Sequence, residues 1–250
     1  MGRPEKKDES EDLPRVLSLT CFRCEDIRKE LRLPHFSGGW IRMFESDSTG
    51  KAWDFLRGFE PASLCDWPGK VSAVLFFGGC NLRCPTCHNS SIAWNPSNTP
   101  ILDHQSLLKR IGKNRKWLDG LVLSGGEVTI LPGFEDLLQT ISLLGLPVKI
   151  DTNGLKPEAI SLALKYDCIH KIAVDVKGPW DKYPNLCGGA ISSGRARGCA
   201  SRVFRMAQAC PERFMFRCTR VPGLTEDDIR TVSSYLPGGF ELNVQKYIRP

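Results

Sequence analysis

No apolar run in this sequence approaches membrane-spanning length, which excludes a transmembrane helix. The first 30 residues alternate charges and contain no apolar leader core, so a cytoplasmic protein that does not enter a membrane is expected. No internal repeat is visible. Charge of one sign is not in great excess: 34 Lys and Arg stand against 28 Asp and Glu, a net +6. The basic residues are scattered apart from "LLKRIGKNRKWL", which reads as a solvated helix face; no nucleic-acid partner is expected. Cysteine is not scarce. Eleven are present, an odd number in a chain expected in a reducing compartment, so ligation of a metal or cluster is favoured over a disulfide framework.

The 250 residues suffice for one large domain, or for a domain plus an appendage. Residues 1–60 read as an N-terminal extension whose first dozen residues are nearly all polar and expected to be disordered. Cys21 and Cys24 form a lone C-x2-C knuckle. Two free thiols explain it as well as a second metal site completed by other cysteines. Residues 61–250 alternate between strand and helix signals and read as the core domain. The strand signals are "VSAVLFF", "GLVLSGG", "LPVKIDTNG", "HKIAVDVKG", "RFMFRCTRVPG" and "GFELNVQKYI". Helical stretches separate them, and "TEDD" opens the last with a threonine cap and an acidic first turn.

Such alternation implies a parallel sheet with right-handed crossovers. Six units are too few for a closed eight-fold barrel. A partial (β/α)6 TIM-like barrel, open on one side, is expected; a flat doubly wound sheet is the alternative. Either way, polar residues at the C-terminal strand ends line the working edge. Cys80, Cys84 and Cys87 follow the first strand, Ser124–Glu127 the second and Asp151–Gly154 the third. Asp175 and Lys177 end the fourth, and Arg217 lies in the fifth, facing inward if the strand alternates as assumed.

The cysteines follow C-x3-C-x2-C. A closed structural zinc site wants four ligands, usually from two knuckles, and no second knuckle follows here. A cubane iron–sulfur cluster on three thiolates leaves one iron open to a non-protein ligand. C-x3-C-x2-C after the first strand of a β/α chain, with "GGE" after the next, resembles the radical S-adenosylmethionine (SAM) superfamily. "CHN", "DTNG" and "DVK" resemble its glycyl-radical-enzyme activating enzymes. "SLCDWPGKVSAVLFFGGCNLRCPTCHN" and "FRCTRVPGLTEDDI" are most similar to activating proteins of anaerobic ribonucleoside-triphosphate reductase. The likeness covers about residues 60 to 250.

The resemblance implies an oxidoreductase whose cofactors are a [4Fe-4S] cluster on Cys80, Cys84 and Cys87 and SAM on the fourth iron. Reductive cleavage of SAM would give a 5′-deoxyadenosyl radical that takes hydrogen from a glycine of a partner glycyl radical enzyme. That partner is expected to be the large subunit of an anaerobic ribonucleotide reductase. Gly125 and Gly126 would meet the methionine ammonium, because glycine lets backbone approach a ligand closely, with Glu127 near by. Asp151 would help hold the amino group and Lys177 the carboxylate; His88 would lie near adenine, and Arg217 would face the site. Asp151 and Asp175 together require a countercharge from Lys177, the SAM ammonium or a monovalent cation. Thr152 and Asn153 read as caps of the following turn.

Thr86 stands where the superfamily commonly has an aromatic residue, which removes a wall near the adenine. No inserted cysteine-rich region separates the triad from "GGE", so electrons are expected from a separate flavodoxin or ferredoxin. Asp66 is a candidate contact at the barrel mouth, although turn formation explains it more simply. Lys246 lies where related activating enzymes often carry histidine. Cys65, Cys168, Cys187, Cys199, Cys210 and Cys218 have no ligand spacing and read as idle thiols. Two other functions compete: a small radical SAM enzyme resembling 7-carboxy-7-deazaguanine synthase, and a non-catalytic iron–sulfur or zinc protein. A redox carrier has no use for "GGE" and "DTNG" at strand ends.

Overall fold

The computed structural model describes residues 51–249. The Cys21/Cys24 knuckle and the expectations for residues 1–50 lie outside the described residues.

Seven strands form one sheet in sequence order: β1 (Leu56–Ser63), β2 (Ser72–Phe77), β3 (Gly120–Gly125), β4 (Val148–Thr152), β5 (Ile169–Asp175), β6 (Phe214–Arg220) and β7 (Leu242–Lys246). β2 to β7 are parallel, and β1 joins β2 antiparallel. Helices fill the connections: α1 (Ser90–Trp94), α2 (His104–Asn114), α3 (Phe134–Ser142), α4 (Pro157–Ala163), α5 (Tyr183–Leu186), α6 (Ser193–Ala209) and α7 (Glu226–Tyr235). The threonine cap is present as read: Thr225 and Asp228 form a reciprocal capping box at the start of α7.

The unbroken strand order decides between the two expected architectures. A doubly wound sheet reverses direction at a switch point, and this one never does. Right-handed crossovers that all step the same way put every helix on one face and curl the sheet around the other. β1 and β7 do not pair with each other among the described residues, so the barrel is partial and open.

β1 spans residue 60, the expected boundary between extension and core domain. Gly58 and Pro61 hide it in the sequence, since both weaken a strand signal. Proline is tolerated here because β1 pairs with one neighbour only and occupies an edge. β1 also relocates Asp66. Ser63, at the end of β1, lies opposite Ser72, at the start of β2. Asp66 therefore lies at the N-terminal end of the parallel strands, away from the mouth, where its carboxylate accepts a hydrogen bond from the Ser63 hydroxyl.

Alternation along each strand separates two faces. Leu75, Phe77, Leu121, Leu123, Ile150 and Phe216 point outward into one apolar core shared with the helices, to which α2 adds Leu108 and Ile111 and α3 adds Leu137 and Leu138. Val74 and Val122 point the other way and join Trp67 and Phe76 in a small apolar plug. Register puts Val122 beside Lys149 of β4, and the inner face becomes charged from there toward the C-terminal rim.

Candidate active site

The cysteine loop leaves β2 at Gly78 and is stitched to the next strand end by backbone. Gly126 N–H donates to the Phe77 carbonyl at 2.7 Å, and Glu127 N–H to the Gly79 carbonyl at 2.8 Å. A Cβ on Gly126 would stand 1.9 Å from the Gly79 carbonyl oxygen, and one on Gly125 (φ 116°) 2.3 Å from that of Phe77. Their bare faces thus meet the backbone of Phe77 and Gly79, and both residues also border the cavity.

Glu127 is likewise a scaffold. It is buried, and its carboxylate accepts from Thr129 N–H and hydroxyl, from the Thr152 hydroxyl and from Asn153 N–H. Burial pushes its pKa up, against those hydrogen bonds. The carboxylate thus ties the end of β3 to the turn after β4. That turn is capped as read, by Thr152 on Gly154 N–H and by Asn153 on Leu155 N–H. Asn153 also donates to the Asn81 side chain at 2.8 Å, and Asn89 to the Gly125 carbonyl at 2.7 Å. Both asparagines lock the cysteine loop onto neighbouring strand ends.

On the inner face an ion-pair ladder fills the barrel below the rim. Asp151 accepts from Lys149, from Arg217 at 3.2 Å and from the Ser124 hydroxyl at 3.0 Å. Asp175 accepts from Arg217 Nε at 2.8 Å and Lys177 Nζ at 3.1 Å. Arg217 thus faces inward as expected. From β6 it reaches past β5 to β4, a span of about 10 Å on a flat sheet at the usual strand spacing, which a concave face shortens. The countercharge comes from three cations against two carboxylates. Lys149, fully buried, is the member missed in the sequence. Its signal was a lysine inside an apolar strand, two residues before Asp151 and so on the same face. Burial would raise the Asp175 pKa, but Lys177 and Arg217 hold it at about 2. Lys177 is pushed the opposite way: burial would lower it, and Asp175 with Cys84 keeps it firmly protonated.

Cys80, Cys84 and Cys87 line a cavity of about 250 Å³ together with Gly125, Gly126, Glu127, Asp151, Asp175 and Lys177. Burial pushes the Cys80 thiol up to about 11 and raises that of Cys87. Cys84 is held at about 7, by a hydrogen bond from the Cys187 thiol first and, against burial, by Lys177. His88 borders the cavity, but its ring stacks on Tyr247 with centroids 5.5 Å apart and its Nε2 meets the Ile248 carbonyl. Thr86 is at the lining, and the aromatic residue there is Trp94 of α1. Lys246 is exposed on β7, while its neighbour Gln245 reaches the cavity.

Three thiols, two glycines and a set of paired charges thus border one space. Among the described residues no three His, Cys, Asp or Glu side chains converge tightly enough to share a single ion. Zinc requires ligands at about 2.0–2.3 Å from one point. Thiols spread over a cavity wall suit a larger group, and soft thiolates suit an iron–sulfur cube. The sequence matches the radical SAM superfamily over residues 74–236. The chain belongs to the radical SAM superfamily.

This radical SAM chain is 31% identical over 187 residues to a Methanocaldococcus jannaschii protein named as a candidate glycyl-radical enzyme activating enzyme, covering 71% of this chain and 73% of that one. It is 36% identical over 104 residues to the pyruvate formate-lyase-activating enzyme of Clostridium pasteurianum, covering 40% of this chain but only 43% of that enzyme. Its fold is similar to that of Streptococcus suis SuiB bound to S-adenosylmethionine, with TM-score 0.51 and 14% identity, over 70% of this chain and 40% of SuiB. Radical SAM membership makes the protein an oxidoreductase that uses a [4Fe-4S] cluster and SAM, and no helix among the described residues is long and apolar enough to cross a membrane.

Proposed function

We propose that this protein activates a glycyl radical enzyme, and that its partner is an anaerobic ribonucleotide reductase. The observation that carries the activating role is similarity to a glycyl-radical activating relative across almost three quarters of both chains. The narrower choice of reductase rests on the resemblance of "SLCDWPGKVSAVLFFGGCNLRCPTCHN" and "FRCTRVPGLTEDDI" to activators of that class. In this reading Cys80, Cys84 and Cys87 hold the cluster. When bound, cluster and SAM together supply a one-electron reductive cleavage that yields a primary carbon radical.

The chain's own residues position and shield. Lys177, protonated and facing the cavity, takes the carboxylate of SAM, while Asp151 and the Gly125–Gly126 backbone face its ammonium. Three cations already balance Asp151 and Asp175, so no monovalent cation is needed there. The aromatic edge toward adenine comes from Trp94 in place of the residue at Thr86. His88, tied to Tyr247 and Ile248, closes that side of the loop. The unpaired ends of the sheet leave room for a peptide loop carrying the target glycine. Electrons come from a separate flavodoxin or ferredoxin. An anaerobic mixture of the reconstituted protein, SAM, reductant and purified reductase should give a glycyl doublet by electron paramagnetic resonance. SAM cleavage without that doublet would move the assignment to a small-molecule substrate.

A further inference from the structure

Lys149 differs from the other two cations of the ladder. Arg217 serves both carboxylates, and Lys177 borders the cavity. Lys149 is fully buried, lies beside Val122 of the apolar plug, and does not border the cavity. Among the described residues its Nζ has one hydrogen-bond partner, Asp151 Oδ1. An ammonium carries three N–H donors, so two are left without a protein acceptor. For stability alone this is a poor arrangement, and an apolar side chain of similar length would fill the space at lower cost.

The consequence of Lys149 is visible at Asp151, which does border the cavity. A carboxylate offers about four acceptor sites, two on each oxygen. Lys149 and Arg217 both donate to Oδ1, Arg217 at 3.2 Å. The Ser124 hydroxyl donates to Oδ2 at 3.0 Å. These donors come from β4 itself, from β6 and from β3, so the carboxylate is held from three strands. They leave a single acceptor site, on Oδ2. Without Lys149 the only cation on Asp151 would be Arg217, whose Nε is committed to Asp175 at 2.8 Å.

We propose that Lys149 is a positioning residue for SAM binding: it holds the Asp151 carboxylate so that its one open acceptor site meets the ammonium group of the ligand. This rests on the reading above in which Asp151 faces the SAM ammonium. Lys149 stands behind Asp151, away from the cavity, and works only through it. Its effect on binding therefore vanishes once residue 151 carries no charge.

The test is a double-mutant cycle on the reconstituted protein. Wild type, Lys149→Met, Asp151→Asn and the combined variant are compared. Methionine keeps much of the length of the lysine stem and drops the charge. Iron and sulfide are measured first. SAM affinity is then read by anaerobic calorimetry without reductant, so that no cleavage occurs. At full iron content Lys149→Met should bind SAM about tenfold more weakly than wild type, and the combined variant no more weakly than Asp151→Asn alone. Unchanged affinity in Lys149→Met overturns the proposal. A combined variant weaker than Asp151→Asn also overturns it, because Lys149 would then act through packing. If Lys149→Met alone loses its fold or its iron, the combined variant decides, since it leaves no carboxylate short of a cation. Affinity equal to that of Asp151→Asn then supports the proposal, and weaker binding or a second loss of fold or iron overturns it. Wild-type affinity in Asp151→Asn removes the Asp151 assignment and the proposal with it, a result distinct from failure of Lys149 alone, in which Asp151→Asn still binds weakly.

Discussion

The outer and inner faces of the sheet are built from alternate residues of the same strands, yet they bury opposite chemistry. Outside, Leu75, Leu123, Ile150 and Phe216 pack into one apolar core with residues of the helices. Inside, Lys149, Asp151, Asp175 and Arg217 pair with one another over a small apolar plug. Burying charges costs desolvation that pairing only partly offsets, so an inner face of this kind is poor as a source of stability. Its gain is organisation: a cavity whose electrostatics are set before any ligand arrives.

If the faces divide labour in this way, substitutions should separate. The largest effect is expected at the rim. Cys84→Ala should reduce SAM cleavage to the uncatalysed background and remove bound iron, while circular dichroism stays close to wild type. Phe216→Ala on the outer face should do the reverse. It should lower unfolding stability by about 3–5 kcal/mol in urea titration, with the folded fraction still binding SAM. A comparable loss of SAM affinity in that variant would break the division between the faces.

Arg217→Ala tests the ladder. Removing the cation shared by two half-buried carboxylates should destabilise the fold by up to about 3 kcal/mol and also weaken SAM binding measured by calorimetry, so this variant should fail on both counts. The pH dependence sharpens the same point. The Asp175 carboxyl is held at about 2, below its ordinary value of 3.8. Its contribution is fully present above about pH 4 and is lost as pH falls toward 2. The stability gap between wild type and Asp175→Asn, read from urea midpoints, should therefore narrow over that window. A gap that widened on acidification would contradict the ladder. The smallest effect is expected on the exposed side of α2. Lys109→Gln with Lys113→Gln should change stability by less than about 0.5 kcal/mol and leave SAM cleavage unchanged.

Much of the site was legible because its pieces fall at strand ends. Once "VSAVLFF", "GLVLSGG" and "LPVKIDTNG" are read as parallel strands, the cysteines, "GGE" and "DTNG" must gather on one edge. Arg217 followed from alternation alone. β1 was not legible, because Gly58 and Pro61 break its pattern and its edge position excuses them. At Gly125, Gly126 and Glu127 the sequence marks a ligand-like motif, and only the structure shows that their bare faces and carboxylate also hold neighbouring strand ends and loops together.

By itself the sequence determined the α/β class, the parallel direction expected of its β/α strands and the three thiols, since period, spacing and residue type are local properties written along the chain. Only the tertiary structure decided the unbroken order of the strands, which cation balances which carboxylate, and that Lys149 belongs to the ladder. Lys149 on Asp151 and Lys177 on Asp175 are neighbours two residues apart, but Arg217 reaches both carboxylates across segments far apart in sequence, a contact fixed by the curvature of the sheet and the docking of its crossovers.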